Sequence, residues 1–95
     1  MADIETGYVA RVKTKLRDDE VFNDRTNDVS VYWGANAAVA TANCAGAGVV
    51  GNIKVVSVSD VLKKGGRVMD APRPGSQGHC NLFGMKVKDF NNLFS

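Results

Sequence analysis

The sequence predicts an α+β fold, a small single domain in which a sheet of about four or five strands packs against one or two short helices. The chain has 95 residues, enough for one hydrophobic core. Its 44% hydrophobic and 23% charged residues exclude intrinsic disorder. Segments with strand-type alternation and segments with helix-type spacing both occur along it. We therefore expect residues 1–95 to form one α+β domain, with residues 1–6 as a flexible N-terminus.

The first predicted strand covers residues 8–17, where apolar and basic side chains alternate. This period of two indicates one buried face and one basic face. The polar residues 23–28 are expected to form a loop, and residues 29–33 a second strand that Gly34 ends. One face of the second strand would carry Val29, Val31 and Trp33, and the other Ser30 and Tyr32.

A helix rich in small residues is expected next, with Asn36 as its N-cap. Small side chains at helical spacing would let this helix approach the sheet closely, and the glycines that follow would end it. The predicted stripe of small residues consists of Ala38, Ala42, Ala45 and Val49. Residues 53–58 are rich in β-branched side chains and predict a third, central strand.

A short helix over residues 60–64 is predicted next, capped by Ser57 or Ser59 and ended by two glycines. Residues 67–70 would form a short strand. The last part of the chain predicts a strand over residues 79–87 and a terminal amphipathic segment. The apolar residues of that segment are Val87, Phe90, Leu93 and Phe94.

Residues 71–78 contain two prolines and two glycines, so they predict a loop that continues neither a helix nor a sheet. Rigid exposed loops with polar side chains are typical of binding sites. A turn that proline merely stiffens is the alternative interpretation. The candidate binding residues at this loop are Arg73, Ser76, Gln77 and His79.

Cys44 and His79 are the candidate catalytic residues. A cysteine nucleophile needs a nearby base to form its thiolate at neutral pH, and a histidine on a neighbouring strand is a common supplier. His79 and Cys80 are adjacent in a predicted strand, so their side chains would point to opposite faces. The alternative is that Cys44 is a small buried helix residue and that His79 has a structural role.

Four cations follow the first predicted strand on one side, namely Arg11, Lys13, Lys15 and Arg17. Such a row is able to follow a nucleic-acid backbone. It is more typical of a solvated edge strand, where cations discourage the association of sheets. The net charge is only +2 and the acidic residues 18–20 follow directly, so nucleic acid is the less favoured partner.

The sequence predicts no cofactor, metal site or membrane segment. Gly46, Gly48 and Gly51 have the spacing of a dinucleotide-binding fingerprint, but they follow a predicted helix and precede a strand, the reverse of the required order. The two cysteines lack metal-ligand spacing. Because the N-terminus has no basic and apolar signal, we expect a cytoplasmic protein with both thiols reduced.

Two stretches carry a resemblance, residues 28–32 and the segment from residue 56 to residue 79. A strand and a short helix lead there to a glycine, a short strand, a proline-bearing loop and His79 at the start of the last strand. This pattern resembles a group of small uncharacterised bacterial proteins, often from mobile or phage-like gene neighbourhoods. A basic residue commonly follows the first stretch in that group, whereas Trp33 stands here. The resemblance implies the strand–helix–strand order and a site at His79, with no reaction type.

We predict a small interaction or accessory domain that binds a macromolecular partner through residues 71–79 or through a sheet edge. The partner would be a protein, with a second copy of the chain as one form of it. One alternative is a minimal hydrolase or transferase with Cys44 as nucleophile and His79 as base. The other is a nucleic-acid binder that uses the basic face of residues 11–17, whose binding would weaken steeply with salt.

Overall fold

The structure is built on a six-stranded antiparallel sheet with a small two-stranded hairpin beside it. A computed structural model describes residues 2–48 and 51–95 of the chain. The strands of the sheet are β1 (Asp3–Ile4), β2 (Tyr8–Val12), β5 (Val29–Gly34), β6 (Ile53–Ser57), β7 (Arg67–Asp70) and β8 (His79–Phe83), and those of the hairpin are β3 (Val21–Phe22) and β4 (Arg25–Thr26). The sheet has the order β1-β7-β8-β5-β2-β6. The predicted α+β class is confirmed, with six strands instead of four or five.

Three helices cover the sheet. Helix α1 (Ala37–Gly46) lies on one face, which we call the α1 face, and helices α2 (Val58–Lys63) and α3 (Val87–Phe94) lie on the other, the α2/α3 face. Asn36 Oδ1 accepts a hydrogen bond from the Val39 N–H at 2.9 Å, as its predicted role as N-cap requires. Ser57 Oγ accepts one from the Asp60 N–H at 3.1 Å. Because Ser57 is the cap, α2 begins two residues earlier than the predicted helix over residues 60–64.

The α2/α3 face holds the larger hydrophobic core. Valines from four strands of the sheet pack there against Phe90 and Phe94 of α3, whose rings stack with centroids 4.6 Å apart. Both rings lie on the inward side of α3, so the predicted amphipathic C-terminal segment is confirmed. The fully buried valines at the sheet are Val9, Val29 and Val31.

The α1 face is packed from small residues. A Cβ atom at Gly34 would lie only 2.7 Å from the carbonyl carbon of Val39, so the glycine allows α1 to sit directly on β5. This contact turns Ala40 and Cys44 toward the sheet, and both are fully buried. The predicted stripe was therefore wrong, because Ala38, Ala42 and Ala45 are exposed. Its fourth member, Val49, lies outside the described residues.

The positions of β2 and β6 in the sheet differ from the predictions. Strand β2 lies between β5 and β6 and is buried on both faces, so it is neither an edge strand nor a strand with a basic face. It ends at Val12, and residues 13–17 leave the sheet. Strand β6 was expected to be central and is instead the last strand at one edge. Helices on both faces bury part of β6, and β-branched residues are favoured there as in a central strand.

Three short segments also differ from the predictions. Residues 3–4, expected to be flexible, pair with β7 as an edge strand. The predicted loop over residues 23–28 contains the hairpin turn, where Asn23 and Asp24 adopt positive φ angles of 52° and 59°. The last strand ends at Phe83 because Gly84 follows with a φ of +84°, and α3 then begins at Val87.

Candidate functional site

The α1 face is only partly covered by its helix. Helix α1 packs over β2, β5 and β6. From β5 across β8 to β7, the α1 face carries Ser30, Asn81, Phe83 and Met69, all of them half-buried. A polar and apolar strip of sheet is thus accessible beside the helix.

A cleft of about 380 Å³ opens on this face, and we call it the cationic cleft. Ser30 and Tyr32 of β5 contribute to its lining, together with Cys44 from α1 and Glu20. Four cations also line it, namely Arg11, Lys15, Arg17 and Arg73. With Glu20 as the only acidic residue in the lining, the side chains of the cleft carry a net charge of +3.

A buried ion-pair network forms one wall of the cationic cleft. Glu20, whose side chain is 5% exposed, accepts hydrogen bonds from Arg11 Nη2 at 2.9 Å and from Arg17 Nε at 2.8 Å. Arg11 Nη1 donates to the backbone oxygen of Ser30 at 2.9 Å, where β2 and β5 diverge. The Arg11 guanidinium also lies 5.9 Å from the centroid of the Phe90 ring. The network therefore fixes residues 17–20 against the end of β5.

His79 forms two hydrogen bonds on the α1 face and is only 2% exposed. Its Nδ1 lies 2.7 Å from the backbone oxygen of Ala71, and its Nε2 lies 3.0 Å from Ser30 Oγ. A carbonyl oxygen only accepts hydrogen bonds, so Nδ1 carries a proton. In the tautomer with its single proton on Nδ1, Nε2 accepts a hydrogen bond from the Ser30 hydroxyl. The Tyr32 ring stands edge-on to the imidazole at 5.6 Å between centroids.

This geometry pairs His79 with Ser30 and does not favour the predicted pairing of His79 with Cys44. Both ring nitrogens of His79 are bonded to other groups, Ala71 and Ser30. Cys44 is fully buried between α1 and the sheet, and burial raises the pKa of its thiol, an effect that the positive charge of Arg11 opposes. Cys80 lies on the α2/α3 face, as expected from its position next to His79. Burial, with a contribution from the negative charge of Asp70, raises the pKa of the Cys80 thiol to about 11.

The other predicted binding residues are divided among three places. Arg73, Ser76 and Gln77 line a second groove against α1, where the backbone oxygen of Gly78 accepts a hydrogen bond from the Trp33 N–H at 2.8 Å. Asn43 of α1 donates to the Trp33 oxygen, so the helix is bonded to the same residue of β5 that holds the loop. Arg73 lines both this groove and the cationic cleft. Lys13 lines neither of them but an adjoining groove beside α3, to which Arg11 and Lys15 also contribute.

Sequence reasoning missed Ser30, Tyr32 and Glu20 as site residues. The alternation in residues 29–33 correctly placed Ser30 and Tyr32 on one face of their strand. It did not indicate that β8 would lie beside β5 and bring His79 opposite Tyr32. Glu20 belongs to a run of three acidic residues, and only the fold distinguishes its buried carboxylate from its exposed neighbours.

Searches of known proteins identify no relative, since no family model, curated protein or solved structure matches the chain. Among residues 2–48 and 51–95, no group of three or more His, Cys, Asp or Glu side chains is placed to hold a metal ion. No helix in the part of the chain that the structure describes is long and apolar enough to cross a membrane.

Proposed function

We propose that this domain binds an acidic segment of a partner protein in the cationic cleft. The observation that supports the proposal is the charge of the cleft, four cations against one carboxylate in a concave surface. The whole chain has a net charge of only +2, so this excess of positive charge is local. An acidic ligand is the chemistry that such a surface recognises.

Two of the four cations are free to contact a ligand. Arg11 and Arg17 are engaged with Glu20, whereas Lys15 and Arg73 form no ion pair with any residue in the described ranges 2–48 and 51–95. A guanidinium binds a carboxylate through two parallel hydrogen bonds, which suits Arg73 on its stiff loop. The accessible strip with Met69 and Phe83 adjoins β5 and offers apolar contacts to a peptide that leaves the cleft.

A protein segment fits the surface better than a nucleic acid. Two of the four cations of the predicted row, Arg11 and Arg17, are paired with Glu20. Asp18 and Asp19 are exposed beside the cleft and end the positive surface on that side. The positive surface therefore suits a short acidic segment and does not extend into a track for a strand.

Binding of fluorescent peptides, measured by anisotropy at low and moderate salt, tests the proposal. A Glu-rich peptide should bind more tightly than a neutral peptide of equal length and than an oligonucleotide of equal charge. Arg73→Ala should weaken peptide binding by roughly fivefold to tenfold, as the loss of one charge-assisted contact implies. Lys63→Ala is the matched control, since it removes an exposed cation of α2, which lies on the opposite face. Equal effects of Arg73→Ala and Lys63→Ala, or tighter binding of the oligonucleotide, would refute the proposal.

Self-association stays a prediction, and the surface that suits it is the outer edge of β6. No strand within the described ranges pairs with that edge, so its backbone groups are available to the β6 strand of a second copy. The sedimentation coefficient of the chain without peptide, measured over a range of concentrations, reports whether a dimer forms.

The cytoplasmic location and the resemblance to the mobile-element group also stay predictions, and the choice of ligand does not depend on them.

A further inference from the structure

We propose that Ser30 is a nucleophile for acyl transfer, with His79 as its general base and with anionic esters as its substrates. The inference goes beyond the proposed function because it concerns a covalent reaction rather than binding. It uses the same cleft, since Ser30 lines the cationic cleft directly. His79 lies behind Ser30 and is reached from the cleft through the serine hydroxyl.

The direction of the hydrogen bonds is the first argument. Nδ1 donates to the Ala71 oxygen at 2.7 Å, and in this tautomer Nε2, which lies 3.0 Å from Ser30 Oγ, is able to accept the hydroxyl proton. A serine nucleophile needs this arrangement, in which a base accepts the hydroxyl proton and a third group holds the other ring nitrogen. The Ala71 carbonyl is the positioning group, because it fixes the tautomer and would stabilise the imidazolium that forms.

The rigidity of the pair is the second argument. Ser30 and His79 belong to β5 and β8, two hydrogen-bonded strands at the centre of the sheet. The imidazole is also held edge-on by Tyr32. Sites on strands keep their geometry better than sites on loops, and a fixed distance between nucleophile and base favours reaction. A hydroxyl with no role other than a hydrogen bond to a buried histidine would not need to line a cleft, whereas Ser30 is only half-buried and lines one.

The reaction follows from these positions. Ser30 Oγ attacks the carbonyl carbon of the ester while its proton passes to His79 Nε2, and a tetrahedral intermediate with a negatively charged oxygen forms. Its C–O bond to the alcohol then breaks, and the alkoxide takes a proton from a water molecule in the cleft. The hydroxide that remains attacks the acyl-serine, and the serine oxygen takes back the proton from His79 as the acid is released. One ester and one water thus give one acid and one alcohol.

The charge of the cationic cleft defines the substrate class. The guanidinium of Arg73 and the ammonium of Lys15 line the same space as Ser30, and each favours a negative group on the substrate. The same cations would stabilise the negative oxygen of the intermediate. An ester that carries a carboxylate should therefore react faster than a neutral ester of similar reactivity.

The first test is acylation of the intact chain with 4-nitrophenyl acetate and with the anionic 4-nitrophenyl succinate. We expect a burst of nitrophenolate and one acyl group on the peptide that contains Ser30, located by mass spectrometry. Ser30→Ala should abolish this adduct, whereas Ser59→Ala should leave it unchanged, because Ser59 is an exposed residue of α2 on the other face. Acylation of Ser30 no faster than that of other serines would overturn the proposal. Peptide binding by Ser30→Ala is measured in parallel, so a failure of acylation is distinguishable from a failure of the proposed function.

The second test does not depend on the choice of ester. In Ser30→Cys, the introduced thiol replaces the hydroxyl beside His79, and its alkylation rate by iodoacetamide is followed against pH with site-resolved mass spectrometry. A thiol activated by His79 should titrate well below ~8.5, and His79→Gln should restore an ordinary titration. General-base assistance predicts a loss of roughly 100-fold in Ser30 acylation for His79→Gln. If the thiol of Ser30→Cys titrates like the thiol of Ser59→Cys, the proposed role of His79 is overturned. This comparison does not require the His79 variant to be stable.

Discussion

The buried carboxylate of Glu20 offers the sharpest test of how the cationic cleft is held together. Glu20→Gln keeps the shape of the side chain, but it removes the charge and turns one acceptor oxygen into a donor that faces a guanidinium. Arg11, with a side chain 12% exposed, then loses its counter-charge. Breaking a buried pair in this way costs about 3–5 kcal/mol. Arg17 is 73% exposed and is able to turn to water, and Arg11 keeps its bond to Ser30, so we expect a smaller loss of about 2–3 kcal/mol.

Urea unfolding followed by the fluorescence of Trp33, the single tryptophan, measures this loss. For a chain of this size, the expected loss lowers the urea midpoint by roughly 2 M with the m value unchanged. Asp19→Asn is the control, because the Asp19 side chain is 72% exposed at 3.4 Å from Arg17 and should contribute less than about 0.5 kcal/mol. A Glu20→Gln effect no larger than that of Asp19→Asn would refute the view that the network holds the wall of the cleft.

Two further predictions concern the thiols. Burial raises the pKa of the Cys80 thiol from its ordinary value of 9.0 to about 11. The stabilising contribution is therefore complete below pH 9.0 and is lost as the pH rises toward 11. The free energy of unfolding, measured with urea, should fall by about 2–3 kcal/mol over this pH range. Cys80→Ala should not show this fall, and comparing the two proteins cancels the titration of other groups. Cys44 should react slowly with iodoacetamide in the folded chain, because its thiol is buried and its pKa is raised. The rate should be the same in His79→Gln. A fast reaction that requires His79 would instead restore the hydrolase prediction based on Cys44.

The features that sequence predicted well depend on neighbouring residues. Asn36 and Ser57 each accept a hydrogen bond from the N–H three residues later, as N-caps do. The strand over residues 67–70 has the predicted bounds. Alternation also assigned the faces of β5 correctly, because a strand side chain follows its backbone. The α+β class needed no more than these local patterns.

The features that sequence did not predict depend on distant residues. Which side of α1 faces the sheet is decided by the close contact at Gly34, and apolar spacing alone could not distinguish one run of small residues from another. The edge position of β6 follows from the strand order. His79 was identified as a site residue and Ser30 was not, because their contact arises only from the pairing of β5 with β8. In the sequence Arg11 is one of four similar cations, and only the fold shows that Glu20 lies beside it.

The position of β8 in the sheet has a consequence for folding. Strands β5, β2 and β6 and helix α1 come from one continuous stretch of chain and contact one another, so they are able to assemble early. Ser30 and His79 are 49 residues apart in sequence, and closing so long a loop is slow. We therefore expect the part of the cationic cleft around Ser30 to form before residues 71–79 bring Arg73 and the imidazole to it. Until β8 docks against β5, the Ser30 hydroxyl has no base beside it, and a partly folded chain is inert in the chemistry proposed for the complete one.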